Sequence, residues 1–152
     1  MSELSFRAAT SADLPFIVRL LADDTVGAAM DDPGAANDPV YEAALAAIDA
    51  DPNQEMIVAE LDGQPIGCFQ LSYIPGLFRR GMWRGQVENV HVSPAARSQG
   101  HGGRMMAWAI ERCRARGCGL VQLTSNKTRA GAHRFYRRLG FTQSHEGFRL
   151  FL

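Results

Sequence analysis

Several residue types that mark particular classes of protein are scarce in this chain of 152 residues. It has 3 cysteines, Cys68, Cys113 and Cys118, and none lies in a CxxC pair or at zinc-finger spacing from a histidine. We therefore expect reduced thiols, a cytoplasmic location and no metal site. The first residues lack a basic region followed by an apolar run, and no apolar run is long enough to cross a bilayer. We expect neither secretion nor a membrane partner.

The chain also lacks a net charge, because 16 basic and 16 acidic residues cancel. This excludes a nucleic-acid binder that relies on overall positive charge. The zero is the sum of two opposite halves, since residues 1–62 carry a net charge of −11 and residues 63–152 a net charge of +11. Lysine is almost absent as well, and arginine supplies 15 of the basic residues. The split predicts two surfaces with opposite electrostatic preferences.

A chain of this length with 46% hydrophobic residues is predicted to fold as one globular domain over residues 1–152. Its first half carries clear signals of secondary structure. Leu4–Ala8 is predicted to be a strand, and Thr10 with Asp13 resembles a box that opens a helix. A second helix is predicted to have Asp38 as its cap and to begin at Pro39. Asp62-Gly63 predicts a hairpin turn between two further strands, Met56–Leu61 and Ile66–Ile74.

The second half continues the alternation of strands and helices. The predicted elements are strand Gln86–Val92, a helix from Gly102 or Gly103 to about Gly117, strand Leu120–Thr124, a short helix that stops at Gly140, and two paired strands, Phe141–Ser144 and Phe148–Leu152. The order predicts an α/β fold with a mixed sheet, locally parallel from Val87 to Leu123. The loop Pro75–Gly85 carries Phe78, Met82 and Trp83, and three interpretations stay open: a channel wall, a homodimer surface and a cover for the core.

The segment from Val90 to Arg104 is the most informative stretch. A strand end runs through a glycine-rich turn into an amphipathic helix, so free backbone N–H groups converge where an anion can sit. The glycines at positions 100, 102 and 103 let the backbone approach that anion closely. A P-loop needs Lys after the last glycine, where Arg104 stands, and the dinucleotide fingerprint fails because Met105 replaces its third glycine. A tight turn without a ligand is the structural alternative.

Two motifs carry a resemblance to a known family. The first is Arg97-Ser98-Gln99-Gly100-His101-Gly102 after a Val-x-Val strand, and the second is Asn126 followed by the block from Ala132 to Phe141, with its Phe-Tyr pair and Leu-Gly-Phe end. Together they resemble the GNAT superfamily of acyl-coenzyme A dependent N-acetyltransferases. The resemblance implies a three-layer fold whose mixed sheet has about six to seven strands flanked by about four helices. It also implies acetyl-CoA as the acyl donor and no metal.

The resemblance assigns the cofactor to one continuous segment and one separate residue. Backbone groups of Val90, His91 and Val92 are expected to hold the pantetheine arm like an added strand. The expected pyrophosphate loop comprises Arg97, Ser98, Gln99, Gly100, His101, Gly102, Gly103 and Arg104. Asn126 is expected to contact the pantetheine arm or the acceptor, with a turn-forming role as the alternative.

Two residues are candidates for acid and base chemistry. Glu88 lies on the central strand just before the cofactor segment, and we expect it on the same face as Val90 and Val92, where it acts as a general base directly or through a water. The alternative is a structural ion pair with an arginine such as Arg84. Tyr136 stands where the family places a general acid for the CoA sulfur, and an ordinary core tyrosine is the alternative.

The acceptor is expected to be a primary amine on a small molecule or a peptide. Family resemblance places the first two helices beside the acceptor channel, and these helices belong to the acidic half. We therefore predict a cationic acceptor attracted by acidic side chains at positions 23, 24, 31, 32 and 38. A different class remains open, in which the protein is a non-catalytic module that senses acyl-CoA or regulates a partner.

Overall fold

The computed structural model describes residues 2–23, 31–32, 34 and 36–152. The chain divides into two compact units, Met1–Gln122 and Leu123–Leu152. The first unit contains the sheet and four of the five helices in the described part of the chain, and the second contains one helix.

One mixed sheet organises the first unit. Its strands stand in chain order: β1 Leu4–Ala8, β2 Gln54–Leu61, β3 Gln64–Ile74, β4 Trp83–Val92 and β5 Cys118–Gln122. Neighbouring strands are antiparallel except for β4 and β5, which are parallel as predicted. The β2–β3 hairpin turns at Asp62 and Gly63, whose φ angles of 51° and 81° fit the turn that Asp-Gly favours.

The helices begin and end where local signals place them. They are α1 Leu14–Ala22, α2 Pro39–Ala50, the single turn α3 Phe78–Gly81, α4 His101–Ala115 and α5 Ala130–Arg138. The capping box of Thr10 and Asp13 precedes α1 through a short 3-10 turn, and Asp38 Oδ1 accepts a hydrogen bond from the Val40 N–H at 3.0 Å to cap α2. No helix among the described residues is long and apolar enough to span a bilayer.

The sheet is covered on both faces in the first unit. Leu14, Ile17 and Leu45 of α1 and α2 pack against Met56 and Cys68. The next residue of β3, Phe69, points to the other face and contacts Trp108 of α4, with ring centroids 5.9 Å apart. On that second face, Met105, Met106, Ala109 and Cys113 of α4 are fully buried. Alternate residues along β3 and β4 therefore face either α1 and α2 or α4.

The two strands predicted at the C-terminus were wrong. In the second unit neither Phe141–Ser144 nor Phe148–Leu152 forms a strand, so the described chain has five strands rather than six or seven. Phe148, Leu150 and Phe151 are exposed. A hairpin this short has little stability in water without a third strand or a helix to cover one face, so an alternating sequence alone does not suffice.

Candidate active site

Strand β4 is irregular next to the predicted base. Glu88 pairs with Gln70 of β3, and His91 pairs with Cys68, so three steps along β4 match two along β3. Asn89 takes up the extra residue with a φ of 53°. The bulge reverses the alternation, so Glu88 shares its sheet face with His91. Our expectation that Glu88 faces the same way as Val90 and Val92 was wrong, because that expectation presumed a regular strand.

The edge of β4 that faces β5 loses its partner strand just before the bulge. The β4–β5 register runs from Trp83–Cys118 to Gln86–Gln122 and ends there. Beyond that point, no described residue of β5 pairs with β4 from Val87 to Val92. The cofactor-binding segment predicted at residues 90–92 therefore lies along a strand edge that is open toward β5. Such an edge can accept an extended, amide-containing chain as an additional strand.

The glycine-rich turn leads directly from this edge to α4. Ser98 and Gly100 have φ angles of 63° and 81°, and the helix begins at His101. A Cβ built on Gly100 or Gly103 meets no atom within 4 Å, so the surface beside both glycines is open. The first N–H groups of a helix lack partners within the helix and favour anions. This combination fits the pyrophosphate group of CoA.

His101 adds a second observation at this helix end. Its side chain is buried, with 7% exposure, and neither ring nitrogen has a hydrogen-bond partner among the described residues. Unpaired buried polar atoms are uncommon in folded proteins. His101 was predicted to belong to the pyrophosphate loop, and its unpaired ring adds a polar side chain to that loop.

The other side chains of the loop mostly serve the loop itself. Arg97 Nε donates to the Val92 carbonyl at 2.9 Å, and its guanidinium pairs with the Asp23 carboxylate at 3.0 Å. Gln99 Nε2 donates to the Ala95 carbonyl at 3.3 Å, whereas Arg104 is exposed at the start of α4. Arg97 thus braces the turn and is only half available to an anion.

Glu88 lies in a network of amide side chains on the face of α1 and α2. Gln86 Nε2 donates to Glu88 Oε1 at 2.7 Å, and Gln122 Nε2 donates to Gln86 Oε1 at 3.0 Å. No arginine pairs with Glu88 among the described residues, so the alternative of an ion pair with Arg84 is not what this geometry shows. Glu88 Oε2 has no hydrogen-bond partner there and remains able to accept a proton.

Further amides line the same face. Gln54 Oε1 accepts from Ser72 Oγ at 2.8 Å and from Gln70 Nε2 at 3.2 Å. The sequence reasoning missed these residues and Gln86. Their signal is polar residues at every second position of β3 and β4 in the Gln70-x-Ser72 and Arg84-x-Gln86-x-Glu88 patterns, on strands whose other face is buried.

Asn126 and Tyr136 belong to the second unit. Asn126 Oδ1 accepts hydrogen bonds from the Thr128 N–H at 3.0 Å and the Thr128 hydroxyl at 2.8 Å, so the side chain forms a turn. Tyr136 packs edge-on against Phe135 and Phe141, with centroids 5.1 and 5.9 Å away. Burial raises the pKa of Tyr136, although Arg129 opposes the shift. The phenol is therefore protonated at neutral pH and can donate.

The acidic residues predicted to attract the acceptor have local partners. Asp23 pairs with Arg97, Asp31 accepts from the Tyr41 hydroxyl at 2.8 Å, Asp32 accepts from the Gly34 N–H at 2.8 Å, and Asp38 caps α2. Asp24 lies outside the described residues. No group of three or more potential metal ligands occurs in the described part of the chain.

A bulged central strand, an open edge beside it and a glycine turn into a long helix define an acyl-CoA dependent acyltransferase fold. The sequence profile of the acetyltransferase (GNAT) family matches residues 15–141. The chain therefore belongs to the GNAT acetyltransferase family, as the two motifs predicted.

Individual relatives agree with this assignment. The chain is similar to an aminoalkylphosphonate N-acetyltransferase of Salmonella typhimurium, with 36% identity over 95 residues, and the match covers 62% of this chain and 61% of that protein. It is also similar to a crystal structure described as a transcriptional regulator from Bacillus halodurans C-125, with 40% identity and a TM-score of 0.94 over 99% of this chain and 100% of that one. An aminoglycoside N-acetyltransferase in complex with CoA shares the fold, with 16% identity and a TM-score of 0.77 over 100% of this chain and 96% of that one.

Proposed function

We propose that one domain spanning residues 1–152 transfers an acetyl group from acetyl-CoA to a primary amine by direct attack. The observation that carries this proposal is the half-buried Glu88 carboxylate beside an open strand edge, with one oxygen fixed by Gln86. In the balanced reaction, a C–N bond forms and the thioester C–S bond breaks. One proton leaves the ammonium group before the attack, a second leaves the nitrogen as the amide forms, and the departing CoA sulfur takes up a proton.

Glu88 is proposed as the general base. An amine must be neutral to attack, and a carboxylate within reach, directly or through one water, takes up the proton it loses. Gln86 donates to Oε1, so the carboxylate is oriented while Oε2 stays open to the acceptor. Glu88 has no cation beside it in the described structure, which leaves its charge available to an incoming ammonium group.

Tyr136 is proposed as the general acid for the CoA sulfur. Its raised pKa supports this role because the phenol still holds its proton at neutral pH. A cysteine nucleophile is disfavoured on the same physical ground. Burial raises the pKa of Cys68 to about 12 and that of Cys113 to about 11, so both remain thiols. The thiols are free, which fits the prediction of a cytoplasmic location.

Acetyl-CoA supplies the activated acetyl thioester. We propose that the β4 segment at residues 90–92 holds the pantetheine arm through its backbone and that residues 97–104 hold the pyrophosphate. The open surface beside Gly100 and Gly103, together with the unpaired ring of His101, supports this placement. Asn126 keeps its proposed contact through the amide nitrogen, since Thr128 engages its oxygen.

The acceptor is proposed to be a small molecule or a basic peptide whose primary amine arrives as a cation. The Salmonella relative is named for an aminoalkylphosphonate, which is a small amine, and this supports the small-molecule choice. A second candidate is a non-catalytic regulator that binds acyl-CoA, favoured by the description of the Bacillus halodurans structure.

One assay separates the two candidates. Thiol release from acetyl-CoA is measured over a panel of amines for the wild type, Glu88→Gln and Tyr136→Phe. We expect amine-dependent release that falls at least tenfold in each variant, because a positioned acid or base typically contributes about 100-fold or more. CoA binding without release on any amine would favour the regulator. Equal rates in the three proteins would contradict the roles proposed for Glu88 and Tyr136 but not the proposed acetyltransferase activity.

A further inference from the structure

An unpaired group of arginines lies at the end of the sheet face that carries Glu88. Arg84, Gln86 and Glu88 alternate along β4 and pair in regular register with Ile74, Ser72 and Gln70, so their side chains share the face of α1 and α2. The single turn α3 joins β3 to β4 at the Arg84 end of this row. It adds two arginines, Arg79 and Arg80, to the same end of the sheet.

Arg84 is half-buried, and one of its buried N–H groups lacks a hydrogen-bond acceptor. Its Nε atom is buried without a hydrogen-bond partner, and its guanidinium lies 5.9 Å from the centroid of Phe78. The guanidinium of Arg79 lies 5.7 Å from the same ring. Arg79, Arg80 and Arg84 form no ion pair with any described residue, and Arg84 is set apart from other unpaired arginines by its buried Nε atom.

The backbone of α3 is also strained. Arg79 and Arg80 have φ angles of 51° and 63°, a left-handed conformation that is unfavourable for residues other than glycine. This turn places the guanidinium of Arg79 beside the same Phe78 ring as that of Arg84. The arrangement is unfavourable without an anion, because like charges repel and a buried guanidinium N–H needs an acceptor.

Resting on the proposed function, we infer that this site recognises an oxyanion carried by the amine acceptor, with Arg84 as its principal ligand. Glu88 lies four residues along the strand from Arg84, about 14 Å between Cα atoms at about 3.4 Å per residue. The neutral amides of Gln86 and Gln122 separate the two charges. The row thus matches a short zwitterion with an ammonium at Glu88 and a phosphonate or carboxylate at Arg84.

The test compares amines of equal chain length on the full protein. The probes are 2-aminoethylphosphonate, β-alanine and n-propylamine, with kcat/KM measured for the wild type, Arg84→Gln and the control Arg114→Gln, an exposed arginine of α4 that pairs with Glu111. We expect the wild type to prefer one of the anionic amines over n-propylamine at least tenfold. Arg84→Gln is expected to abolish that preference through KM, while Arg114→Gln matches the wild type.

Each possible result of this comparison supports or overturns the inference. The relative rates of the phosphonate and the carboxylate identify the oxyanion. Equal rates for the anionic and neutral amines in the wild type would overturn the inference and spare the proposed function, as would a preference that survives in Arg84→Gln. Should no amine be acetylated, the proposed function fails, and the inference is read from the thermal shift with 2-aminoethylphosphonate. A shift present in the wild type and lost in Arg84→Gln then supports the oxyanion site, and no shift overturns it.

Discussion

Removing the Gln86 amide tests whether Glu88 is positioned by its neighbour. In Gln86→Leu, Glu88 Oε1 loses the donor at 2.7 Å, and its carboxylate gains freedom to rotate. A hydrogen bond to a charged group contributes about 1.5–3 kcal/mol, and we reduce this to about 1 kcal/mol because both side chains are only half buried. If the whole loss appears in the transition state, kcat falls about fivefold.

A double-mutant cycle separates positioning from a general effect on the fold. Rates of thiol release are measured for the wild type, Gln86→Leu, Glu88→Gln and the double variant, with unfolding curves as a check on stability. We expect the fivefold effect of Gln86→Leu to shrink below about twofold when Glu88 is already Gln, because interacting residues are not additive. Gln54→Leu is the matched control, since Gln54 contacts Ser72 and Gln70 rather than Glu88. Equal effects of Gln86→Leu in both backgrounds would refute the reasoning.

Three further predictions concern stability and reactivity. A Cβ on Gly85 would clash with Cys113 Sγ, so Gly85→Ala is expected to lower the free energy of unfolding by about 1–3 kcal/mol, measured by urea titration; an unchanged midpoint contradicts the packing. The pKa of Asp13 is lowered, chiefly by hydrogen bonds from the Arg7 side chain, so its contribution is present above an unfolded pKa of about 4 and lost as pH falls through the folded value. In Asp13→Asn, the free energy of unfolding should therefore fall less steeply as the pH is lowered below about 4. Burial raises the pKa of Cys68 to about 12, so at pH 8 a thiol reagent should label that residue last, as mass spectrometry of timed samples would show.

Features set by neighbours in the chain could be predicted from the sequence. The Asp62-Gly63 turn, the Asp38 cap and the helix start after Gly100 all depend on residues within a few positions of each other. Features set by pairing between distant segments could not. The bulge at Asn89 depends on register with β3, and the contact of Gln86 with Gln122 joins residues 36 positions apart. The same limit applies to the two predicted C-terminal strands, because an alternating pattern does not show whether another segment pairs with it.

The residues of the candidate site also divide into those that local sequence predicted and those that only the folded chain revealed. The glycine turn was found because its chemistry is local, and Glu88 was found because it is the one acidic residue between positions 63 and 110 and lies on the central strand. Arg84 was considered only as an ion-pair partner of Glu88. Its unpaired Nε became visible only once the folded chain showed which groups surround it.

The measurement that tests the account most directly is mass spectrometry of the amine product together with CoA release. Purified protein is incubated with acetyl-CoA and a panel of phosphonate, carboxylate and neutral amines, polyamines and basic peptides. We expect one acetylated amine for each CoA thiol released, with the rate reduced at least tenfold in Glu88→Gln. Binding of CoA without an acetylated product from any of these amines would contradict the account.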